Sequence, residues 1–211
     1  MDTHRLTDIE PEKGLLQIWD CGKLERQYSE EIHPKLSLCM AHEYGTIWDM
    51  DWCPNGSFWT NNDQHNCVRL GLLALACGDG YVRIHSIPNP KLFNNQNTNG
   101  LTCKNKAVAI LQPPDLRPTN SFDKTICKCL SWLKSNNQSL IAAGYGNGII
   151  AVWDLLNLSK LLVIKKNEHQ LCLRPKLSWN AHTTSVNKVR WTYNSSKNFL
   201  ASCSLDRSAK I

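Results

Sequence analysis

The stretch GYGNGIIAVWD at residues 144–154 decides the fold, because a glycine-rich turn leads directly into an alternating strand that ends in Trp-Asp. Similar units occur at residues 77–86 (CGDGYVRIHS) and 204–211 (SLDRSAKI), and residues 15–20 (LLQIWD) have the form of the last part of such a unit. A turn and a strand that recur along a chain are typical of repeated β-sheet modules. The chain is therefore predicted to be repetitive and all-β.

The number of units predicts a partial β-propeller. No segment keeps a 3.6-residue apolar period, and the apolar run RLGLLALAC at residues 69–77 is typical of a strand covered on both faces. Propellers have four to eight blades of roughly 40–45 residues each, so 211 residues are too few for most complete rings. The repeat units found along the chain, two of them incomplete, predict about three to three and a half blades. We expect the end of a truncated blade plus a connection at residues 1–40, a blade with insertions at 41–125, a blade at 126–180 and the start of a truncated blade at 181–211.

Two further expectations concern the interior of the blades. Outer edge strands are expected at residues 106–111 and 160–164, with a loop at 165–176. Alternating residues of the first strand of each blade share a face and are predicted to lie in the core. These residues are Trp52, Trp132 and Trp191, with Met50, Leu130 and Val189 two positions earlier.

The charge is distributed unevenly along the chain. Residues 1–63 contain five Lys or Arg against twelve Asp or Glu, whereas residues 64–211 contain nineteen against six. This asymmetry favours an acidic or phosphate-rich partner near the later blades, although lysines that only solubilise the surface would give the same counts. The candidate DNA or partner contacts are Lys104, Lys106, Lys165, Lys166, Arg174, Lys176, Lys188 and Arg190.

The composition otherwise indicates an ordinary globular protein. Hydrophobic residues make up 42% and charged residues 20%, and no run approaches the roughly 20 apolar residues that a membrane-spanning helix needs. The ten cysteines are scattered along predicted strands, and we expect them to be reduced, structural residues of an intracellular protein. Cys127 and Cys129 form the closest pair, but no second pair at zinc spacing accompanies them, so no metal site is predicted.

The repeated unit resembles the WD40 repeat. The resemblance rests on Ala181-His182, on LASCSLD at residues 200–206, and on the Trp-Asp endings at 19–20 and 153–154. In that family a loop His, a strand Ser or Thr, a turn Asp and the Trp form a hydrogen-bonded network within a blade. The positions that the resemblance marks as structural are His42, Asp79, Trp153, Asp154, His182, Ser202 and Asp206.

The network is expected to be incomplete in the earlier blades. The blade that opens at His42 has Leu75 at the Ser position and His85 at the Trp position, and the next blade has Ala143 and Asn147 at the Ser and Asp positions. A half-satisfied polar network costs stability. These blades are therefore predicted to depend mainly on apolar packing.

Longer phrases resemble the WD40 subunits of transcription factor IIIC. They are KLSLCMAHEYGTIWD at residues 35–49, CPNG at 53–56, RLGLLALAC at 69–77 and AAGYGNG at 142–148. The resemblance runs from about residue 14 to residue 211 and is to a longer protein, so a fragment is expected. It implies a nuclear, non-catalytic scaffold without cofactor, small-molecule substrate or membrane contact. Its implied partners are the other subunits of that factor, especially the largest, and promoter DNA through the assembled complex.

Two other classes of protein were weighed. An enzyme is disfavoured because the chain contains no phosphate-binding loop, HExxH or G-x-S-x-G motif, and the glycines at residues 144–148 precede a strand instead of a helix. A generic WD40 adaptor, of the ubiquitin-ligase receptor or histone-binding type, stays open because one propeller frame serves unrelated partners.

Overall fold

The computed structural model describes residues 13–22, 33–54, 69–92, 101–114, 125–134, 139–166, 170–192 and 197–211. These ranges contain sixteen strands, one short 3-10 turn at Pro90–Leu92 and no α-helix. The strands are β1 (Gly14–Asp20), β2 (Lys35–His42), β3 (Ile47–Trp52), β4 (Arg69–Cys77), β5 (Val82–Pro88), β6 (Leu101–Lys104), β7 (Ala109–Leu111), β8 (Cys127–Trp132), β9 (Leu140–Tyr145), β10 (Ile149–Asp154), β11 (Val163–Lys166), β12 (Leu171–Leu173), β13 (Leu177–Asn180), β14 (Val186–Trp191), β15 (Leu200–Ser204) and β16 (Ala209–Lys210).

The strands form four sheets, none of which closes on itself, and the predicted all-β partial propeller is confirmed. The first blade contains β1 and β2, the second β3, β4, β5 and β7, the third β8, β9, β10 and β13, and the fourth β14 to β16. Neighbouring strands within each blade are antiparallel. This order is the meander that alternating strands and short turns generate in a propeller.

The hairpin turns of the second and third blades contact the segment that opens the next blade. Gly80 and Gly148 both have positive φ, 89° and 86°, a conformation that glycine adopts without strain. The carbonyl oxygen of Gly148 accepts hydrogen bonds from the amides of Ala181 and His182, at 3.1 and 3.0 Å. A Cβ added at Gly80 would come too close to the carbonyl oxygen of Thr125. One added at Gly148 would come too close to the carbonyl oxygen of His182.

Segments inserted before the outer strand of one blade extend the sheet of the preceding blade. β6 lies between β5 and β7 in the chain, yet it pairs in parallel with β2 of the first blade. β12 lies between β10 and β13, and it pairs in parallel with β7 of the second blade, while β11 pairs with β12. The outer strand of the third blade is therefore β13, and the expectation of an edge strand at residues 160–164 followed by a loop is wrong. Pairing of β12 with β7, and of β11 with β12, satisfies backbone groups that a loop would leave without these partners.

Three apolar clusters lie between successive blades. The first and second blades share one that includes Leu16, Leu38, Met40, Leu73 and Leu75. The largest joins the second and third blades, and its members include Ala74, Ile84, Leu111, Leu130, Trp132, Trp153 and Leu173. The third and fourth blades share Cys129, Ile150, Ala181, Val186 and Val189. The core is thus a series of interfaces between blades.

The predicted core column is buried as a whole only in the third blade, because Trp191 of the fourth blade is partly buried and the residues of the second blade are exposed. Leu130, Trp132 and Val189 are buried, whereas Met50 and Trp52 are 48% and 43% exposed. The second blade covers Leu130 and Trp132. Neither Met50 nor Trp52 belongs to an apolar cluster of the described residues. The prediction of a core role is wrong for these two residues in the described structure.

Leu173 provides a test of the inserted strand β12. Its side chain is 1% exposed between the second and third blades, so Leu173→Ala should lower the free energy of unfolding by about 2–4 kcal/mol. Leu161 lies in the same insertion and is 83% exposed, so Leu161→Ala should change it by less than about 0.5 kcal/mol. Urea unfolding of the two variants measures the difference, and equal effects would show that β12 does not contribute to the core.

Candidate functional site

The polar network of the last blade joins a loop, a strand and a turn. His182 follows β13, and its Nδ1 lies 2.9 Å from Oδ2 of Asp206, while its Nε2 lies 2.9 Å from the hydroxyl oxygen of Ser202. Because a carboxylate only accepts hydrogen bonds, Nδ1 carries a proton and donates a hydrogen bond to Asp206. Hydrogen bonds from the hydroxyl and amide of Ser208, from His182 and from the Thr183 amide hold the pKa of Asp206 well below its usual range.

In the second blade the same positions form a different arrangement. Asp79 accepts two hydrogen bonds from the guanidinium of Arg83, at 2.8 and 2.6 Å, instead of one from His42. The guanidinium also lies 4.1 Å from the ring centroid of Tyr44, which stacks on His42. Burial, with a smaller contribution from the Arg83 charge, lowers the pKa of His42. Arg83 thus replaces the histidine as the partner of the turn aspartate, and Tyr44 packs against that arginine.

His85 occupies the tryptophan position of the second blade. It is 1% exposed, and neither ring nitrogen has a hydrogen-bond partner among the described residues. Burial, followed by the charges of Arg83 and His42, lowers its pKa to about 4. The imidazole is therefore neutral at physiological pH and packs as an apolar ring.

In the third blade the tryptophan is retained but bonds to the preceding blade. The Trp153 ring is fully buried, and its Nε1 donates to the carbonyl oxygen of Gln112 at 3.2 Å. Asp154 accepts a hydrogen bond from Lys176 at 2.9 Å. Burial alone would raise the pKa of Asp154, but the Lys176 hydrogen bond, together with weaker ones, lowers it. This blade is fixed to its neighbour by an indole instead of by an internal network.

Acidic and hydroxyl side chains on the first strand of one blade accept hydrogen bonds from backbone amides of the following blade. Oδ2 of Asp49 accepts from the Leu130 amide and Oδ2 of Asp51 from the Trp132 amide, both at 2.9 Å. The Ser131 hydroxyl accepts from the Trp191 amide at 3.3 Å one blade later. Asp51 and Ser131 occupy equivalent positions in the repeat alignment. Each accepts a hydrogen bond from the amide of the aligned tryptophan in the next blade, so their shared role could have been inferred only by comparing one blade with the next.

Five of the nine described cysteines are buried, whereas Cys21 and Cys203 are exposed. All nine cysteines in the described ranges are free, and burial raises the pKa of Cys129 to about 12 and that of Cys127 well above its usual value. In the same ranges no three His, Cys, Asp or Glu side chains are grouped so as to bind a metal ion. Nor does any helix described there have the length and apolar character to span a membrane.

The eight candidate contact residues fall into two groups. Four already have partners: Lys104 bonds Glu43, Lys176 bonds Asp154, Lys188 bonds Asp49, and Arg190 donates to the Leu130 carbonyl. The other four are exposed, and no ion pair joins any of them to another residue within the described part of the chain. These four are Lys106, Lys165, Lys166 and Arg174.

The hydrogen bond between the Asp51 carboxylate and the Trp132 amide gives a prediction for Asp51. Asp51→Ala removes the acceptor of the Trp132 amide and should lower the free energy of unfolding by about 1–3 kcal/mol. Asp51→Asn keeps an oxygen acceptor in nearly the same place and should cost less. Chemical denaturation compares the two variants, and a larger loss for Asn than for Ala would contradict a role for this hydrogen bond.

The burial of His85 predicts a pH dependence of stability. Its pKa in the folded state is about 4, below the value of about 6.5 for an unfolded histidine, so the unfolded chain binds the proton more readily. The contribution of neutral His85 to the free energy of unfolding is complete above pH 6.5. It is lost as the pH falls toward 4, by as much as about 3 kcal/mol. His85→Phe should flatten the curve of unfolding free energy against pH in this window, and an unchanged slope would exclude His85 as its source.

Comparisons with known proteins agree with the fold. Residues 34–86 and 173–211 match the WD40 family, described as WD domain, G-beta repeat. The whole chain is 32% identical, over 217 residues, to general transcription factor 3C polypeptide 2 of Pongo abelii and to that of Homo sapiens. It is 24% identical over 147 residues, 69% of its length, to transcription factor tau subunit sfc6 of Schizosaccharomyces pombe.

The chain spans 24% of the length of the first two relatives and 20% of the third. Proteins with WD40 repeats, like subunits of transcription factor IIIC, are generally non-catalytic. The repeats, the four propeller sheets and the identity over the full chain lead to one conclusion: the chain carries WD40 repeats and is similar to the general transcription factor 3C polypeptide 2 proteins.

Proposed function

We propose that the chain is a non-catalytic scaffold of the RNA polymerase III general transcription factor IIIC. In this role it supports subunit assembly and the binding of the complex to internal promoters of tRNA-type genes in the nucleus. The observation that carries the proposal is the 32% identity to general transcription factor 3C polypeptide 2 along the whole chain. A general WD40 match would cover the repeats alone, whereas this similarity also includes the segments that connect them.

The geometry supports a structural role. The two histidines at matching repeat positions, His42 and His182, are used inside the fold: His182 bonds Ser202 and Asp206, and His42 stacks on Tyr44. Asp49 and Asp51 bond backbone amides of the neighbouring blade. General acid–base catalysis needs a group within reach of a substrate. These residues instead contact other parts of the sheets, as expected of a scaffold whose surface is presented to other subunits.

Affinity purification tests the proposal. The chain, tagged in its own cells, should recover the largest subunit of transcription factor IIIC together with other subunits of that complex. Recovery must survive nuclease treatment, because subunit contacts do not require DNA. A WD40 protein of similar size and charge serves as the control for nonspecific capture. Recovery of a cullin adaptor or histones, without any subunit of that factor, would contradict the proposal.

A further inference from the structure

The described surface between residues 101 and 192 is almost free of negative charge. In that span the described residues include nine lysines and two arginines, and the one carboxylate among them is Asp154. Lys176 forms an ion pair with that carboxylate, with its Nζ 2.9 Å from Oδ2 of Asp154. Glu43 pairs with Lys104 and Asp49 with Lys188, and no other described acid forms an ion pair with a lysine or arginine of this span.

Chain topology brings the unpaired cations to the outer rim of the second blade. Lys106 precedes β7, whose outer side carries the inserted hairpin of β11 and β12. The amide of Leu171 donates to the carbonyl of Val108 at 2.9 Å, and Gln170 Nε2 donates to the carbonyl of Ala107 at 3.0 Å. This end of β12 is therefore fixed close to the segment that contains Lys106.

The hairpin places the remaining cations along the same rim. Lys165 and Lys166 belong to β11, the outermost strand of the six-stranded sheet, and Lys166 is the register partner of Leu171. Arg174 follows β12, and its amide donates to the carbonyl of Leu162 at 2.8 Å, at the other end of the hairpin. We call Lys106, Lys165, Lys166 and Arg174 the cationic rim. The cationic rim combines residues about 60 positions apart in the sequence, because the insertion of the third blade pairs with the second blade.

We propose that the cationic rim contacts the phosphodiester backbone of duplex DNA directly. Lysine is depleted in the cores of protein–protein interfaces, whereas interfaces with nucleic acid are rich in Lys and Arg that neutralise phosphates. Exposed lysines on a strand edge contact phosphates without reading base edges, so the rim adds affinity and position but no sequence preference. The choice of duplex DNA over other polyanions rests on the proposed function.

The test is a salt titration of DNA binding by the protein purified with the partners that it retains. The rim variant carries Lys106→Gln, Lys165→Gln and Lys166→Gln. The matched control carries Lys91→Gln, Lys134→Gln and Lys197→Gln, which remove the same charge from exposed lysines elsewhere. The probes are a promoter duplex, a scrambled duplex of the same length, and a single-stranded RNA of that length.

The rim variant should bind both duplexes more weakly, with the slope of log K against log salt reduced by about 2–3, since each phosphate contact contributes about 0.9. The control variant should keep the wild-type slope. Equal slopes for the rim variant and the wild type, or an equal loss in the control, would overturn the proposal. A rim-dependent slope found with the RNA and not with the duplexes would overturn the choice of duplex DNA.

The same preparations separate this inference from the proposed function. Loss of transcription factor IIIC subunits from the rim variant, with an unchanged salt slope, would make the rim a contact for an acidic protein and overturn the inference. Absence of those subunits from the wild-type preparation would overturn the proposed function alone, because the salt slope of the rim is measured independently of subunit recovery.

Discussion

Contact between successive blades is the constraint on which the rest of the structure depends. The second and third blades are small sheets with apolar residues on both faces, and a single sheet cannot bury either face alone. The structure meets this constraint with the three apolar clusters, and the largest of them unites strands from the second and third blades. A chain of this kind gains stability mainly from the interfaces between neighbouring units.

Two further sets of contacts reinforce these interfaces, one near the inner strands and one at the rim. At the inner strands, Asp49, Asp51 and Ser131 accept hydrogen bonds from amides of the next blade. At the rim, β6 and β12 add parallel strands to the preceding blade. A buried amide without a partner would cost free energy, so both sets satisfy backbone groups while they join blades. The incomplete WD40 network in the second and third blades is thus accompanied by contacts between blades.

The sequence predicted the parts of the fold that depend on local pattern. Alternating residues and the turns at Gly80 and Gly148 were sufficient to predict the hairpins, and the resemblance to WD40 repeats indicated that His182, Ser202 and Asp206 would lie together. Pairing between distant segments has no local signal. The segment 163–173 has the composition of an edge strand followed by a loop, and only the position of the second blade decides that it forms β11 and β12. The exposure of Met50 and Trp52 likewise depends on what lies next to the first strand of their blade.

The candidate contact residues show the same limit. Local density of Lys and Arg selected eight positions, but it could not separate the four that bond Glu43, Asp154, Asp49 and the Leu130 carbonyl from the four that remain without ion pairs in the described structure.

The strands inserted from one blade are integral parts of the preceding blade. Hydrogen exchange measured by mass spectrometry or NMR tests this point most directly, by comparing amides of β12 with those of β7. The amides of Leu173 and Leu111 should exchange equally slowly and lose their protection together as denaturant is added. Rapid exchange in β12 while β7 stays protected would show that the inserted strand is not part of the second blade.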